Sequence, residues 1–265
     1  MKLLFQSDDY GITDAVTEGV LKAITKGIVR NTGLFVNMKS SKEAAKKIKE
    51  LDACVGIDIN LVAGSPVTDP KLVPDLVDDE GRFITSRKRM KDNVLIKKEN
   101  ICCYFENDPY DYEQTYLEIE NQVKKFNELM GKMPEYIHGH SLSTPNTIKA
   151  TQAVADKYHI FYTYSLYGRE DIQRIQSTWT PKVFPVEDQM KTDVESNLLR
   201  VLEENKNLEK AYYVCHCGYV DEDLFRETTY TIIRAKDLYA ATSDKVKKFI
   251  EDNHIELITY RDIKE

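Results

Sequence analysis

Short apolar segments alternate with longer amphipathic segments along most of this chain. Apolar runs and alternating apolar positions predict strands at residues 2–7, 30–38, 54–61, 135–142, 160–165, 211–216 and 254–260. Apolar residues three or four positions apart predict helices at residues 14–27, 42–51, 112–131, 146–158, 190–206 and 229–252. Because strands and helices alternate, the pattern favours a parallel sheet with helical crossovers.

Residues with helix-capping preferences lie at several predicted helix ends. Thr13 or Asp14 is placed to cap the first helix, and Ser40 or Ser41 the second. The last helix is expected to break near Ser243. Residues 62–109 contain several prolines and predict less regular structure, and a further proline-containing stretch crosses residues 179–186.

The number of strand–helix units indicates the fold class. About six or seven units in 265 residues favour an α/β fold of the (β/α) barrel-like kind, with mostly parallel strands. We expect residues 1–265 to form a single domain. In such a barrel the active site lies at the C-terminal ends of the strands.

Composition and charge narrow the class of protein. The chain is 42% hydrophobic and 31% charged, as in ordinary globular proteins. Its net charge of −7 and the lack of a basic block argue against a nucleic-acid partner. No apolar run reaches the roughly 18–20 residues of a membrane helix, so we expect no membrane partner. A homo-oligomer stays open.

Cysteine usage predicts a reducing compartment. The chain has five cysteines, an odd number, and no CxxC pair. This usage favours a cytoplasmic protein without disulfides. The Cys215-His216-Cys217 run is a weak zinc candidate. Cys215 and Cys217 share one face of a strand while His216 points to the other, and no second cysteine pair completes the ligand set.

Polar residues that are costly to bury lie at the ends of four predicted strands. They are Asp8, Asp9, Asp58, Asn60, His138, His140 and His216. Each has an ordinary explanation alone: a carboxylate can cap a helix or face solvent, and a histidine can be hydrogen-bonded in a core. Because the ends of parallel strands meet at one edge, we instead expect these side chains to form one site.

A site of carboxylates and imidazoles is suited to metal-assisted hydrolysis. Such groups bind a divalent ion while leaving coordination positions open. The ion lowers the pKa of bound water and polarises a carbonyl group. A carboxylate off the metal can act as the general base, and a histidine can protonate the leaving group.

Segments along nearly the whole chain resemble, in order, the YdjC-like carbohydrate deacetylases, which include chito-oligosaccharide deacetylase. The segments are QSDDYG, GIVRNTGLFVNM, GIDINLV, PEYIHGHS, HCGY and IIRAKDLYAATS. The resemblance implies a barrel-like fold and metal-dependent removal of N-acetyl groups from amino sugars. It also implies that Asp9 and His140 are metal ligands, that Asp8 is the general base and that His216 is the general acid.

Two positions depart from the family pattern. Asp58 stands where the family has its other ligand histidine, and His138 stands where it normally has aspartate. A carboxylate ligand at Asp58 favours harder ions, so we expect Mg²⁺, with Mn²⁺ or Zn²⁺ as alternatives. The exchange between the two strands is a candidate compensation, which makes His138 an alternative ligand. Cys217 replaces the family's proline.

These observations predict a hydrolase that deacetylates an N-acetylated sugar, held in part by stacking on aromatics such as Phe83 and Tyr104. Two alternatives stay open. One is another metal-dependent hydrolase on the same scaffold, either a non-sugar amidase or a phosphoesterase. Residues 87–89 would favour the phosphoesterase if they lie at the site rather than on a solvated face. The other is a catalytically silent protein that binds sugar or metal.

Overall fold

The computed structural model describes residues 1–176 and 185–263. The strands are β1 (Lys2–Tyr10), β2 (Asn31–Leu34), β3 (Cys54–Ile59), β4 (Leu95–Glu99), β5 (Cys102–Phe105), β6 (Tyr136–Gly139), β7 (Phe161–Tyr162), β8 (Gln173–Arg174), β9 (Lys210–Cys215) and β10 (Glu256–Ile258). The α-helices are α1 (Asp14–Lys26), α2 (Ser41–Ile48), α3 (Ser86–Asp92), α4 (Tyr112–Met130), α5 (Pro145–Tyr158), α6 (Val186–Lys191), α7 (Val194–Asn205), α8 (Glu222–Glu227), α9 (Ile232–Thr242) and α10 (Asp244–Asp252).

A parallel sheet forms the centre of the fold. Its strands follow the order β7-β6-β3-β2-β1-β9-β8, and β10 also pairs with β1. Two strands pair with the same edge of β1. Lys2–Leu4 pair with β10, and Gln6–Tyr10 pair with β2. The sheet curls into a half-barrel, and no pairing joins β7 to β8 within the described residues. The predicted α/β, barrel-like, mostly parallel fold is therefore confirmed.

The two faces of the sheet bury different side chains. The larger core packs the helices against one face. A smaller cluster covers the inner face and takes Leu4 from β1, Cys54 from β3, Tyr136 from β6 and Tyr212 from β9. Because strand side chains alternate between faces, residues at even steps further along these strands also point inward. That periodicity aims Asp8, Asp58, His138 and His216 into the half-barrel, whereas Asp9 lies an odd number of positions from Leu4.

Several predicted helix boundaries are confirmed. The Thr13 side chain accepts a hydrogen bond from the Val16 amide and begins α1. Gly131 ends α4 in the left-handed conformation, with φ of 74°. Ser243 is extended, separates α9 from α10, and caps α10 with its side chain. No helix in the described part of the chain is long and apolar enough to cross a membrane.

Other predictions were wrong in detail. Residues 62–109 are more regular than expected, because they contain α3 and the antiparallel β4–β5 hairpin. The helix predicted at 190–206 is two helices, since Asp193 leaves the helical conformation and caps α7. The strand predicted at 30–38 ends at Leu34, and neither α8 nor β8 was predicted. Most of the proline-containing stretch at 179–186 lies outside the described residues.

Candidate active site

A left-handed turn at the end of β1 positions the two neighbouring aspartates. Asp9 has φ of 65°, a conformation that costs a residue other than glycine on the order of 1–3 kcal/mol. The register between β1 and β2 also shifts between Ser7 and Tyr10. The Asp9 amide donates a 2.8 Å hydrogen bond to Asp58 Oδ2, which holds this turn against β3. Asp8 lines a cavity, while Asp9 is fully buried.

Asp9 lies between a guanidinium and an imidazole. Its Oδ2 accepts a 2.6 Å hydrogen bond from Arg234 Nη2, and its Oδ1 lies 2.7 Å from His140 Nδ1. The contact with His140 lacks hydrogen-bond geometry, since Asp9 Oδ1 has no hydrogen-bond partner among the described residues. Burial opposes the charge of Asp9, but His140 and Arg234 outweigh burial and hold its pKa well below the usual value.

Asp58 is buried over a glycine. A Cβ atom on Gly33 would lie 1.7 Å from Asp58 Oδ1, so this carboxyl group occupies the space that any side chain at Gly33 would need. Asp58 Oδ1 has no hydrogen-bond partner among the described residues. Burial and the neighbouring charge of Asp8 raise the pKa of Asp58 well above the usual value. Asp58 also lies opposite His138 in the β3–β6 register.

Asp8 is the carboxylate that faces the cavity. This cavity of about 260 Å³ is also lined by His138, Thr163 and His216. Asp8 Oδ1 accepts a hydrogen bond from Gln6 Nε2, and Asp8 Oδ2 lies 3.4 Å from His138 Nε2 and 3.9 Å from His216 Nε2. Burial opposes ionisation of Asp8, but the two imidazoles outweigh it and lower its pKa. The geometry therefore favours an ionised carboxylate in the cavity.

His138 bridges Asp8 and the segment that follows β7. Its Nδ1 lies 2.7 Å from Thr163 Oγ1, while its Nε2 faces Asp8. Burial disfavours the charged imidazole, but the charge of Asp8 outweighs burial and raises the pKa of His138 to about 9. His138 is therefore a cationic neighbour of Asp8 at neutral pH.

His216 follows β9 and has a fixed backbone. Its amide donates a 2.9 Å hydrogen bond to Asp237 Oδ2, and its ring packs 4.8 Å from the Tyr230 ring. Cys215 and Cys217 are buried with their Sγ atoms 3.6 Å apart, while His216 lines the cavity, as strand alternation predicts. Burial lowers the pKa of His216, so its protonated form is a stronger acid than free imidazolium.

The predicted metal ligands are only partly brought together. Asp9 adjoins both His140 and Asp58, through its carboxylate and its amide respectively. Among the described residues, no group of three or more His, Cys, Asp or Glu side chains is arranged to hold a metal ion. However, Asp9 Oδ1 and Asp58 Oδ1 are both buried oxygens without hydrogen bonds among the described residues, and carboxylate oxygens are typical ligands of hard divalent cations. Two carboxylates and an imidazole suit Mg²⁺, Mn²⁺ or Zn²⁺ chemically.

Four residues that contact the predicted site residues were not themselves predicted from the sequence. Gln6, Thr163, Arg234 and Asp237 contact the predicted residues directly. Arg234 and Asp237 lie three positions apart on α9, and both are almost fully buried. Charged residues on the apolar face of a predicted helix are a signal that could have identified this pair.

Two predicted surface roles are corrected by burial. Phe83 is 3% exposed and packs in the larger core, so it cannot stack on a sugar. Tyr104 is partly exposed, with Lys97 Nζ 4.6 Å from its ring centre. Within residues 87–89, Arg89 is buried over the Tyr110 ring and donates hydrogen bonds to the Asp75 and Pro109 carbonyls. Arg87 and Lys88 are exposed, as expected of a solvated face, and none of residues 87–89 lines the cavity beside Asp8.

The half-barrel and the polar cluster at its strand ends define a barrel-like α/β protein with acid–base groups in a small cavity. The YdjC-like protein family model matches residues 2–252, and the chain belongs to this family. It is 29% identical over 272 residues to the carbohydrate deacetylase of Clostridium beijerinckii, covering 99% of this chain and 100% of that protein. It is 30% identical over 267 residues to the carbohydrate deacetylase of Thermoanaerobacter pseudethanolicus, covering 99% of each.

A solved structure shares the fold. The chain superposes on a candidate cellobiose-phosphate cleavage protein from Enterococcus faecalis V583 with a TM-score of 0.77 and 21% identity. The match covers 99% of this chain and 98% of that one. At this level of identity the similarity establishes the barrel-like architecture.

Proposed function

We propose that this protein is a carbohydrate deacetylase that removes N-acetyl groups from amino sugars or their oligosaccharides. The observation that carries the proposal is Asp8, a buried carboxylate that faces a cavity between His138 and His216. Two relatives named carbohydrate deacetylase, at 29% and 30% identity over essentially their whole length, support the substrate class.

Asp8 is suited to act as the general base. Its lowered pKa keeps it ionised at neutral pH, and its Oδ1 is fixed by Gln6. An ionised, fixed carboxylate that opens on a cavity can take the proton of a water molecule that attacks the acetamide carbonyl. The charge of the nearby His138 favours the ionised form of Asp8.

His216 is suited to act as the general acid. Its backbone is fixed by Asp237, and its Nε2 faces the same cavity as Asp8. Burial lowers its pKa, so once protonated it releases its proton readily. We propose that it protonates the nitrogen of the departing amine, which otherwise leaves poorly as an anion.

We propose that Asp9, Asp58 and His140 hold a divalent ion, with Mg²⁺ favoured and Mn²⁺ or Zn²⁺ as alternatives. The two buried carboxylate oxygens without hydrogen bonds support this ligand set. When bound, such an ion polarises the acetamide carbonyl and lowers the pKa of water. His138 is a weaker alternative ligand because both its ring nitrogens already face partners, Thr163 and Asp8.

We also propose that the protein works in a reducing compartment such as the cytoplasm. The Sγ atoms of Cys215 and Cys217 lie 3.6 Å apart as two thiols. Thiols this close are candidates for oxidation in an oxidising compartment. The odd number of cysteines and the lack of a CxxC pair support this proposal.

The proposal is tested by acetate release from N-acetylglucosamine and its short oligomers in the presence of Mg²⁺, Mn²⁺ or Zn²⁺. Asp8→Asn and His216→Ala should each lower kcat about 10²–10⁴-fold, the usual effect of losing a positioned base or acid. Asp244→Asn is the matched control, because that side chain is 98% exposed and does not line the cavity. A wild-type protein that binds metal but releases no acetate from any N-acetyl sugar would contradict the proposal and favour a silent binding protein.

A further inference from the structure

A buried network of hydrogen bonds joins Asp8 to a tyrosine that follows β10. Gln6 lies two positions before Asp8 on β1, and its Nε2 donates to Asp8 Oδ1. The Tyr260 hydroxyl donates in turn to Gln6 Oε1. Gln6 is 0% exposed and Tyr260 is 1% exposed, so solvent does not compete for these hydrogen bonds. The network therefore runs from Tyr260 through Gln6 to the proposed general base.

The direction of this network follows from the chemistry of its members. An ionised carboxylate only accepts hydrogen bonds, so the Gln6 amide turns its NH2 group toward Asp8. The amide oxygen of Gln6 then faces Tyr260, whose hydroxyl is the donor that this oxygen needs. Consecutive buried hydrogen bonds that point the same way polarise one another. The Tyr260 hydroxyl should therefore strengthen the hydrogen bond that Gln6 makes to Asp8.

Tyr260 has a fixed position from which to donate. Its amide donates a 3.0 Å hydrogen bond to Asn31 Oδ1 on β2. Asn31 Nδ2 donates in turn to one backbone carbonyl of β1 and one of β10. The Tyr260 ring packs with its centre 4.1 Å from that of the Tyr136 ring. Because these contacts tie Tyr260 to the central strands, its hydroxyl offers Gln6 a rigid donor.

The network also distinguishes the two oxygens of Asp8. Oδ1 accepts from Gln6, whereas Oδ2 lies 3.4 Å from His138 Nε2 and 3.9 Å from His216 Nε2. A carboxylate turns about its Cβ–Cγ bond unless one of its oxygens is held. With Oδ1 held by Gln6, Oδ2 stays on the side of the two imidazoles, which line the cavity.

We propose that Gln6 and Tyr260 are positioning residues that orient Asp8 so that Oδ2 takes the proton which water loses as its oxygen attacks the acetamide carbon. Both residues act through Asp8. The inference rests on the proposed function, since Asp8 is a base only if that reaction occurs. In the opposing explanation the network only satisfies buried polar groups, and turnover does not depend on the Tyr260 hydroxyl.

The first test removes a single hydroxyl. Tyr260→Phe keeps the ring that packs on Tyr136, and kcat for acetate release from N-acetylglucosamine oligomers should fall about three- to ten-fold, the effect of one lost hydrogen bond. KM should change by less than about two-fold, because an interaction used in the transition state affects kcat. Tyr136→Phe is the matched control. Its hydroxyl is buried in the same ring pair without a hydrogen-bond partner among the described residues, so kcat should not change.

A double-mutant cycle shows whether Tyr260 acts through Gln6. Gln6→Met has a side chain of similar length that cannot hold Asp8, so kcat should fall about ten- to hundred-fold. In that background Tyr260→Phe should have no further effect on kcat, since the hydroxyl has lost its route to Asp8. Urea unfolding of the same variants measures the coupling without turnover and confirms that each is folded in the assay. Tyr260→Phe should cost less stability in Gln6→Met than in the wild type.

The outcomes separate this inference from the proposed function. Additive effects in the cycle, an equal loss of kcat in Tyr136→Phe and Tyr260→Phe, or an effect confined to KM would overturn the positioning role while the deacetylase function stands. If Gln6→Met does not fold, the comparison of Tyr260→Phe with Tyr136→Phe decides alone. A wild-type protein that releases no acetate from any N-acetyl sugar would contradict the function itself, and the positioning role would fall with it.

Discussion

The guanidinium of Arg234 donates a 2.6 Å hydrogen bond to Oδ2 of Asp9, and both side chains are almost wholly inaccessible to solvent. The pair joins the end of β1 to α9 across 225 residues of sequence. Arg234 Nε also donates to the Tyr230 carbonyl at 2.7 Å, which fixes the direction of the guanidinium. This contact secures the carboxylate whose other oxygen faces His140.

Replacing Arg234 should therefore destabilise the fold strongly. Arg234→Met leaves the Asp9 carboxylate buried without its guanidinium partner, and loss of one partner of a buried ion pair typically costs about 3–5 kcal/mol. Urea unfolding measures the change. The control is Arg226→Met, because Arg226 pairs with Glu222 on the surface and its loss should cost less than about 1 kcal/mol. Equal, small effects of both substitutions would show that the buried pair adds little stability.

The metal assignment makes a second prediction. Asp9→Asn and His140→Ala should each abolish binding of Mn²⁺ or Mg²⁺ measured by calorimetry, since each removes a proposed ligand. The wild-type protein should still unfold cooperatively in a chelator, because the core packs without help from the proposed ion site. Unchanged metal affinity in both variants would rule out Asp9 and His140 as ligands.

The metal preference of an Asp58 variant tests whether Asp58 is a ligand. If Asp58 is a ligand, Asp58→His replaces a hard oxygen donor by imidazole and should shift preference toward Zn²⁺ over Mg²⁺. Competition between the two ions, followed by calorimetry, measures the shift. An unaltered preference would exclude Asp58 from the ligand set and make His138 the next residue to substitute.

The location of Asp58 also predicts a role for Gly33. A Cβ at Gly33 would lie 1.7 Å from Asp58 Oδ1, so Gly33→Ala forces the carboxyl group to move. Overpacking of this kind typically costs about 1–3 kcal/mol, and it should weaken metal binding if Asp58 is a ligand. Gly168→Ala is the matched control, because a Cβ there meets no atom within 4 Å. Denaturant midpoints for the two variants should differ clearly, and similar midpoints would contradict this packing.

Much of the site could be predicted because parallel strands end at one edge. That rule alone predicts that Asp8, His138 and His216 share one site, and all three line the same cavity. The rule gives neither strand register nor side-chain direction. The position of Asp58 over Gly33 depends on how β3 pairs with β2, which alternation alone does not determine.

The remaining features of the site and fold depend on contacts between distant residues and on burial, which the sequence pattern does not predict. The partnership of Arg234 with Asp9 joins the first strand to a late helix, and no local pattern specifies it. Phe83 and Arg89 lie within residues 62–109, where the sequence shows no clear apolar periodicity, so the sequence does not predict their burial. The hairpin of β4 and β5 was missed because its first strand is exposed on both faces and shows no apolar alternation.

The final prediction concerns Asp237, the buried carboxyl that accepts the His216 amide. Burial raises its pKa to about 7 despite that hydrogen bond and the nearby Arg234. Since the folded pKa lies above the usual value of 3.8, the neutral form is favoured by folding. Its stabilising effect is complete below pH 3.8 and is lost as the pH rises through about 7.

Asp237→Asn keeps a hydrogen-bond acceptor for His216 but cannot ionise. Relative to the wild type, the variant should gain stability steadily between about pH 4 and pH 7 and then hold a constant difference at higher pH. Urea unfolding at several pH values measures this difference. Asp244 lies at the exposed start of α10, and its pKa is lowered rather than raised. Asp244→Asn should therefore show no such gain in stability. Parallel stability profiles for Asp237→Asn and the wild type would show that Asp237 titrates normally in the folded protein.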